Sequence, residues 1–174
     1  MASGDTLLIL TPKAAVAPAT AYATLDVVAA TTATPDINRL VLDFNETEDE
    51  YADWLVMMPR HYGSGGSPTG ITLTFVWTCE PIINDVSWAA QIRSEGSTDA
   101  HITKNFSTAV VATAATAPGT ARNIAYTTLA LTDGAQMDSV AAGEMMTVRV
   151  YRDISVATTI IGDVELHLIE VRET

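Results

Sequence analysis

Residues 70–80 read GITLTFVWTCE, and the parity of this stretch decides the fold. Ile71, Leu73, Phe75, Trp77 and Cys79 occupy one parity, and Thr72, Thr74, Val76 and Thr78 the other. Successive side chains of an extended chain point to opposite faces, so a period of two predicts a strand with one buried face. Cys79 falls on the inward parity, where a thiol acts as a small hydrophobe; a catalytic thiol is the alternative reading. As the sole cysteine it excludes an internal disulfide or a multi-cysteine zinc site.

The same period recurs along the chain. Val86, Trp88, Ala90 and Ile92 alternate with Ser87, Ala89, Gln91 and Arg93; Val164, Leu166 and Leu168 alternate with Glu165, His167 and Ile169. MMTVRVYRD and NIAYTTLALT carry the same Val, Thr and Tyr enrichment, and GSGGSPTG, EGSTDA, TAPGT, TDGAQ, AAGE and IGD separate the runs as turn signals. Eight or nine strands at this spacing predict an all-β chain: an antiparallel jelly-roll β-sandwich, with residues 1–174 as one domain. Helical signal is confined to MDSVAAGE, residues 137–144, as one turn capped by Asp138 or Ser139 and ended by Gly143. The Ala-Thr-Pro-rich segments 14–36 and 107–121 read as surface connections with short edge strands, and no internal repeat is visible.

Residues 42–66, LDFNETEDEYADWLVMMPRHYGSGG, admit three readings. Asp43, Asn45, Thr47 and Asp49 alternate as at the start of a calcium loop, but Glu48 stands where that loop needs glycine and Trp54 where it needs a bidentate glutamate. Thr47 followed by Glu50 fits a helix capping box. Ala52, Trp54, Val56 and Met58, however, alternate with Tyr51, Asp53, Leu55 and Met57 up to Pro59. A strand over 51–58 is the better reading, with the acids forming a solvated connection from a strand over 39–44.

Composition bounds the function. With 48% hydrophobic and 17% charged residues the chain is not of the disordered class. Its apolar surface comes from 26 Ala more than from three Phe and three Trp, so each buried residue contributes little, and assembly with copies of itself is the expected supplement. A net charge of −12 with nine basic residues argues against a nucleic-acid partner. No apolar run reaches membrane-spanning length, and MASGDTLLIL has no basic region of the secretory kind, so no membrane partner is expected.

No catalytic constellation emerges. His61, His101 and His167 lack metal-ligand spacing, no G-x-S-x-G elbow occurs, and GSGGSPTG lacks the Gly-Lys-Ser/Thr of a phosphate loop. The crowded acids can in principle supply an acid and a base, as glycosidases do, but acids on one polar loop are ordinarily just solvated. No enzyme activity and no cofactor are expected. Arg60, His61 and Tyr62 form the mixture enriched at contact hot spots; the alternative has Tyr62 packing over a strand end with Arg60 and His61 in water. Asn45-Glu-Thr and Asn105-Phe-Ser match glycosylation acceptors but lack a secretory context.

MASGDTLLILTP, LDFNETEDE leading to MPRHYGSGG, TLTFVWT, LTDGAQMDSVAAGEMMTVRVYRD and GDVELHLIEVRET together resemble small jelly-roll structural proteins of tailed bacteriophages, from end to end of the chain. The resemblance implies a virion protein of the capsid-decoration or cement kind. Such a protein is made in the host cytoplasm, is typically a homotrimer, and sits on the outer surface of the icosahedral head, tying major capsid proteins together. It implies no catalytic residues. Multivalent attachment makes such a clamp effective even when each contact is weak. Leu7, Leu8, Ile9 and Leu10 then form either an arm added to a neighbour's sheet or the first strand of the chain's own fold, within residues 1–13. A trimeric head-fibre or tail-fibre module recognising a host-surface glycan, and a carbohydrate-active enzyme on the same sandwich, are the alternatives.

Overall fold

Ile71, Leu73, Phe75, Trp77 and Cys79 are all buried in the structure, on the inner face of one strand. The computed structural model describes residues 4–30, 37–101, 103–155 and 160–174. The strands are β1 (Thr6–Leu10), β2 (Thr24–Ala30), β3 (Ile37–Phe44), β4 (Tyr51–Met57), β5 (Gly70–Cys79), β6 (Asp85–Val86), β7 (Trp88–Glu95), β8 (Val110–Val111), β9 (Ala115–Thr116), β10 (Ala125–Thr132), β11 (Met145–Arg152) and β12 (Val164–Glu173). A larger sheet runs β10-β5-β12-β3-β2, with β1 also on β12; a smaller one runs β4-β11-β7-β8; β6 and β9 form a short pair.

Neighbouring strands pair antiparallel throughout. Of the eight principal strands, the first, eighth, third and sixth (β3, β12, β5, β10) lie side by side in one sheet, and the second, seventh, fourth and fifth (β4, β11, β7, β8) in the other. That double Greek-key order is a jelly roll. The acids after β3 occupy the connection to β4, and the strand reading of residues 51–58 holds.

The two sheets meet through aromatics. Trp88 on β7 stacks on Phe75 of β5, with centroids 5.1 Å apart and planes 7° from parallel, and meets Phe44 of β3 edge-on at 5.1 Å. Trp54 and Trp77 are buried beside them, and each indole N–H donates a hydrogen bond, to the Thr11 carbonyl at 2.8 Å and the Thr127 hydroxyl at 2.9 Å. One cation shares this interior. The fully buried Arg152 donates to the carbonyls of Phe44 at 3.2 Å, Gly162 at 2.7 Å and Ile160, tying the approach to β12 to the end of β3.

Three details depart from the sequence expectation. A register shift between Leu166 and Leu168 in β12 exchanges the faces, so Ile169 is buried and Leu168 turns outward, the reverse of an uninterrupted alternation. The helical turn lies at Ala135–Met137, not 137–144; Asp138 and Ser139 follow it with left-handed φ of 51° and 55°. They close its C-terminal end instead of capping its start, the Asp138 amide donating to the Ala135 carbonyl and the Ser139 amide to the Gly134 carbonyl. The connection 14–36 contains a full seven-residue strand, β2; its residues 31–36 lie outside the described residues.

Gly70 begins β5 with φ +127° and faces the carbonyl of Leu131 on β10 so closely that a β-carbon would overlap it. Gly70→Ala should therefore cost about 2–3 kcal/mol, from backbone strain and overpacking together, read as a lower midpoint in urea unfolding.

Candidate functional site

Odd-numbered residues of β4, β11 and β7 face outward from the smaller sheet, and their registers align them in rows. Tyr51 pairs with Tyr151, and Asp53 with Arg149, which pairs in turn with Gln91. The rings of Tyr51 and Tyr151 lie 4.9 Å apart, tilted by 48°. Arg149 holds Asp53 with two hydrogen bonds of 2.8 Å, and its guanidinium lies 5.3 Å from the centre of the Tyr51 ring. A bidentate pair of this kind fixes the plane of the guanidinium. Tyr22, half-exposed, reaches the same row through a bridge to Tyr51.

The segment before β8 completes this face. Ser107 bonds to Ile92 through its amide at 2.8 Å and its hydroxyl at 3.0 Å, while Gln91 donates to the Ser107 carbonyl. That anchorage sets Phe106 over Arg149 at 4.1 Å and over Arg93 at 5.2 Å. Farther along, Glu95 accepts from Thr147, Arg93 and His101. Burial pushes the Glu95 carboxyl up, and these three hydrogen bonds more than offset it, leaving it below the ordinary range.

Burial, followed by Asp49 and Asp153, pushes the Tyr51 and Tyr151 phenols up, so both stay neutral donors and acceptors near neutral pH. The Asp53 hydrogen bond raises Arg149 against the opposing effect of burial. The face thus offers two flat rings, a fixed guanidinium and nearby carboxylates.

The larger sheet has a different outer face. Thr24, Asp43, Glu165 and Thr78 stand in one row across four strands, so two carboxylates oppose each other directly. Asp43, Asn45, Glu50 and Asp163 surround a hollow of about 210 Å³ with Thr24. Among the described residues no group of three or more His, Cys, Asp or Glu is arranged to hold a metal ion. Asn45 accepts from Thr47, Glu50 accepts the Asn45 amide, and Asp49 accepts the Ile154 amide, so these side chains serve the loop backbone. Beside them, Arg39, Leu40, Val76, Ile124, His167 and Leu168 line a mainly aliphatic groove of about 420 Å³.

The structure scatters the residues singled out in the sequence. β1 pairs with β12 from Thr6 opposite Arg172 to Leu10 opposite Ile169; Leu7 and Leu10 are buried and Ile9 is exposed. Tyr62 is buried, and its hydroxyl donates to Asp133 at 3.0 Å, so Arg60, His61 and Tyr62 form no joint outward patch. Arg60 is exposed and its stem lies against Gly143. Cys79 is buried, and burial pushes its thiol up. The Tyr51–Tyr151 row escaped the sequence reading because its members lie on different strands; only the strand register brings them together.

No protein-family model and no curated protein matches the chain. Among solved structures it is similar to the C-terminal carbohydrate-binding module of a marine laminarinase from Zobellia galactanivorans, at 9% identity over 95% of this chain and 98% of that one, with a TM-score of 0.46. A carbohydrate-binding module described for specific mannan recognition gives 9% identity, 99% coverage of both chains and a TM-score of 0.45. The enzymatically active domain of tailspike protein 4 from bacteriophage CBA120 gives 10% identity over 94% of this chain and 20% of that one, with a TM-score of 0.46.

Burial and then the neighbouring carboxylates, Asp163 foremost, push Asp43 from an ordinary 3.8 to about 6. Between those values the folded chain holds a proton that the unfolded chain has released, so stability falls as pH rises through the window. Asp43→Asn, which cannot ionise, should melt higher than the parent near neutral pH. The gain should vanish below pH 3.8, as a melting series across pH will show.

Proposed function

We propose that the chain is a non-catalytic recognition module that binds a host-surface glycan through the outer face of its smaller sheet, as part of a head or tail fibre of a bacteriophage particle. One observation carries the reading: the Tyr51–Tyr151 ring pair stands one step along the strands from the Asp53–Arg149 ion pair. A sugar ring presents a flat set of C–H groups bordered by hydroxyls. Tyrosine rings cover the first at little conformational cost, and fixed polar groups satisfy the second. Glycan binding is also what the neighbouring carbohydrate-binding modules are named for. The phage setting comes from the sequence resemblance.

A second reading is a capsid decoration protein: a homotrimer on the virion's outer surface that stabilises contacts between major capsid proteins. The aliphatic groove on the larger sheet favours it, since Val76, Ile124 and Leu168 suit a protein side chain better than a sugar. Neither reading involves nucleic acid, membrane or cofactor.

Titration against a glycan panel tests the first reading. The parent should bind at least one glycan, and Tyr151→Ala and Arg149→Met should each weaken it at least roughly tenfold, equivalent to ~1.4 kcal/mol, with the strand content read by circular dichroism unchanged. Absence of glycan binding, together with particle density over the head surface, would transfer the assignment to decoration.

A further inference from the structure

We infer that β2 is a self-association edge, pairing antiparallel with β2 of a second copy about a two-fold axis at Val27. This goes beyond the glycan reading and does not rest on it. β2 closes one side of the larger sheet: residues 24–30 pair with 43–37 of β3 without a register break, and among the described residues no strand pairs with the opposite edge. An open edge presents a row of unspent amides and carbonyls, and proteins that must stay monomeric protect it with lysine, proline, a bulge or a covering segment. TLDVVAA has no lysine, no proline and an unbroken register.

The side chains agree with this occupant. On the face of β2–β3 that continues the core-facing surface of Leu42, Leu25 is 50% exposed, Val27 49% and Leu40 41%. These are unusual exposures for three neighbouring branched aliphatics, and they lie beside the open edge. The axis at Val27 sets Val27 against Val27 of the second copy and Leu25 against its Ala29. Across both molecules this forms one unbroken apolar row: Leu40, Val27, Val27 and Leu40.

Charge fits as well. Asp26 is the one charged residue of β2, and the axis sets it opposite Val28 of the second copy, whose partner on β3 is Arg39. Each Asp26 therefore approaches an Arg39 across a single valine, and no two like charges stand directly opposed. A second copy is thus a better occupant than an arbitrary strand, because the edge is complementary to itself. The remaining opposition is long-range: each copy carries −12, so association should strengthen as salt screens the repulsion.

Sedimentation at micromolar concentration, with and without added salt, tests the inference. The parent should be dimeric, and increasingly so with salt. Val27→Lys and Val27→Glu each place like charges across the axis and should be monomeric, while their mixture should restore a dimer. Because Val27 is half-exposed, both variants should keep the parent's strand content by circular dichroism. Hydrogen exchange supplies a second reading that needs no variant: amides of 24–30 should lose protection on dilution. A monomeric parent, a trimer unaffected by the charge variants, or exchange independent of concentration would each overturn the pairing.

Discussion

The contact between Trp88, Phe75 and Phe44 is what makes two sheets one domain. Trp88 belongs to the smaller sheet, Phe75 and Phe44 to the larger, and the three rings meet stacked and edge-on. Each such contact adds about 0.5–1.5 kcal/mol beyond the area it buries. That matters in a chain with 26 Ala and only six Phe and Trp in all. All three Trp and two of the three Phe lie in this interior; Phe106 is placed over two arginines instead. The scarce large rings are concentrated where the sheets must be held together, and Leu, Ile, Val and Met side chains fill the space around them. Of the alanines, only Ala23, Ala52, Ala89, Ala90, Ala112 and Ala117 are buried among the described residues, so the core is not the small-residue core that composition led one to expect.

Much of this was legible in the sequence, for a physical reason. Inward and outward positions alternate with no tolerance for a slip, so Ile71 to Cys79 and Ala52 to Met58 declare their faces directly. The same strictness explains the failure in β12. A single extra residue between Leu166 and Leu168 reverses every later face, and nothing in VELHLIEV marks the place, since Leu168 and Ile169 are equally apolar. Tyr62 was ambiguous for a related reason: its turn position gives no parity, and only its burial in the folded chain shows that it is internal.

The candidate site was hidden more thoroughly. Tyr51 and Tyr151 sit at ordinary outward positions of two strands, and in isolation each is a surface tyrosine. Their significance lies in register, because β11 lies between β4 and β7 and so brings Tyr51, Tyr151, Asp53, Arg149 and Gln91 onto one face. Phe106 is harder still. Its place depends on Ser107 bonding along the free side of β7, a contact between segments that no local pattern encodes.

The outer faces of the two sheets differ in how their charges are compensated, and that difference bears on what each can do. On the smaller sheet Asp53, Arg149, Arg93 and Glu95 are paired, so the rings of Tyr51 and Tyr151 sit in a settled electrostatic frame and are held in place before any ligand arrives. On the larger sheet Asp43 opposes Glu165 with no cation between them, and the folded state bears the cost of keeping a carboxylate there. A preorganised face binds without first reorganising its own side chains, which is where affinity for a weakly contacting ligand is usually lost. That preorganisation is why the proposed glycan reading is placed on the smaller sheet. The larger sheet, with its aliphatic groove and a β2 edge that no described strand pairs, is where the proposed contacts with other protein are placed.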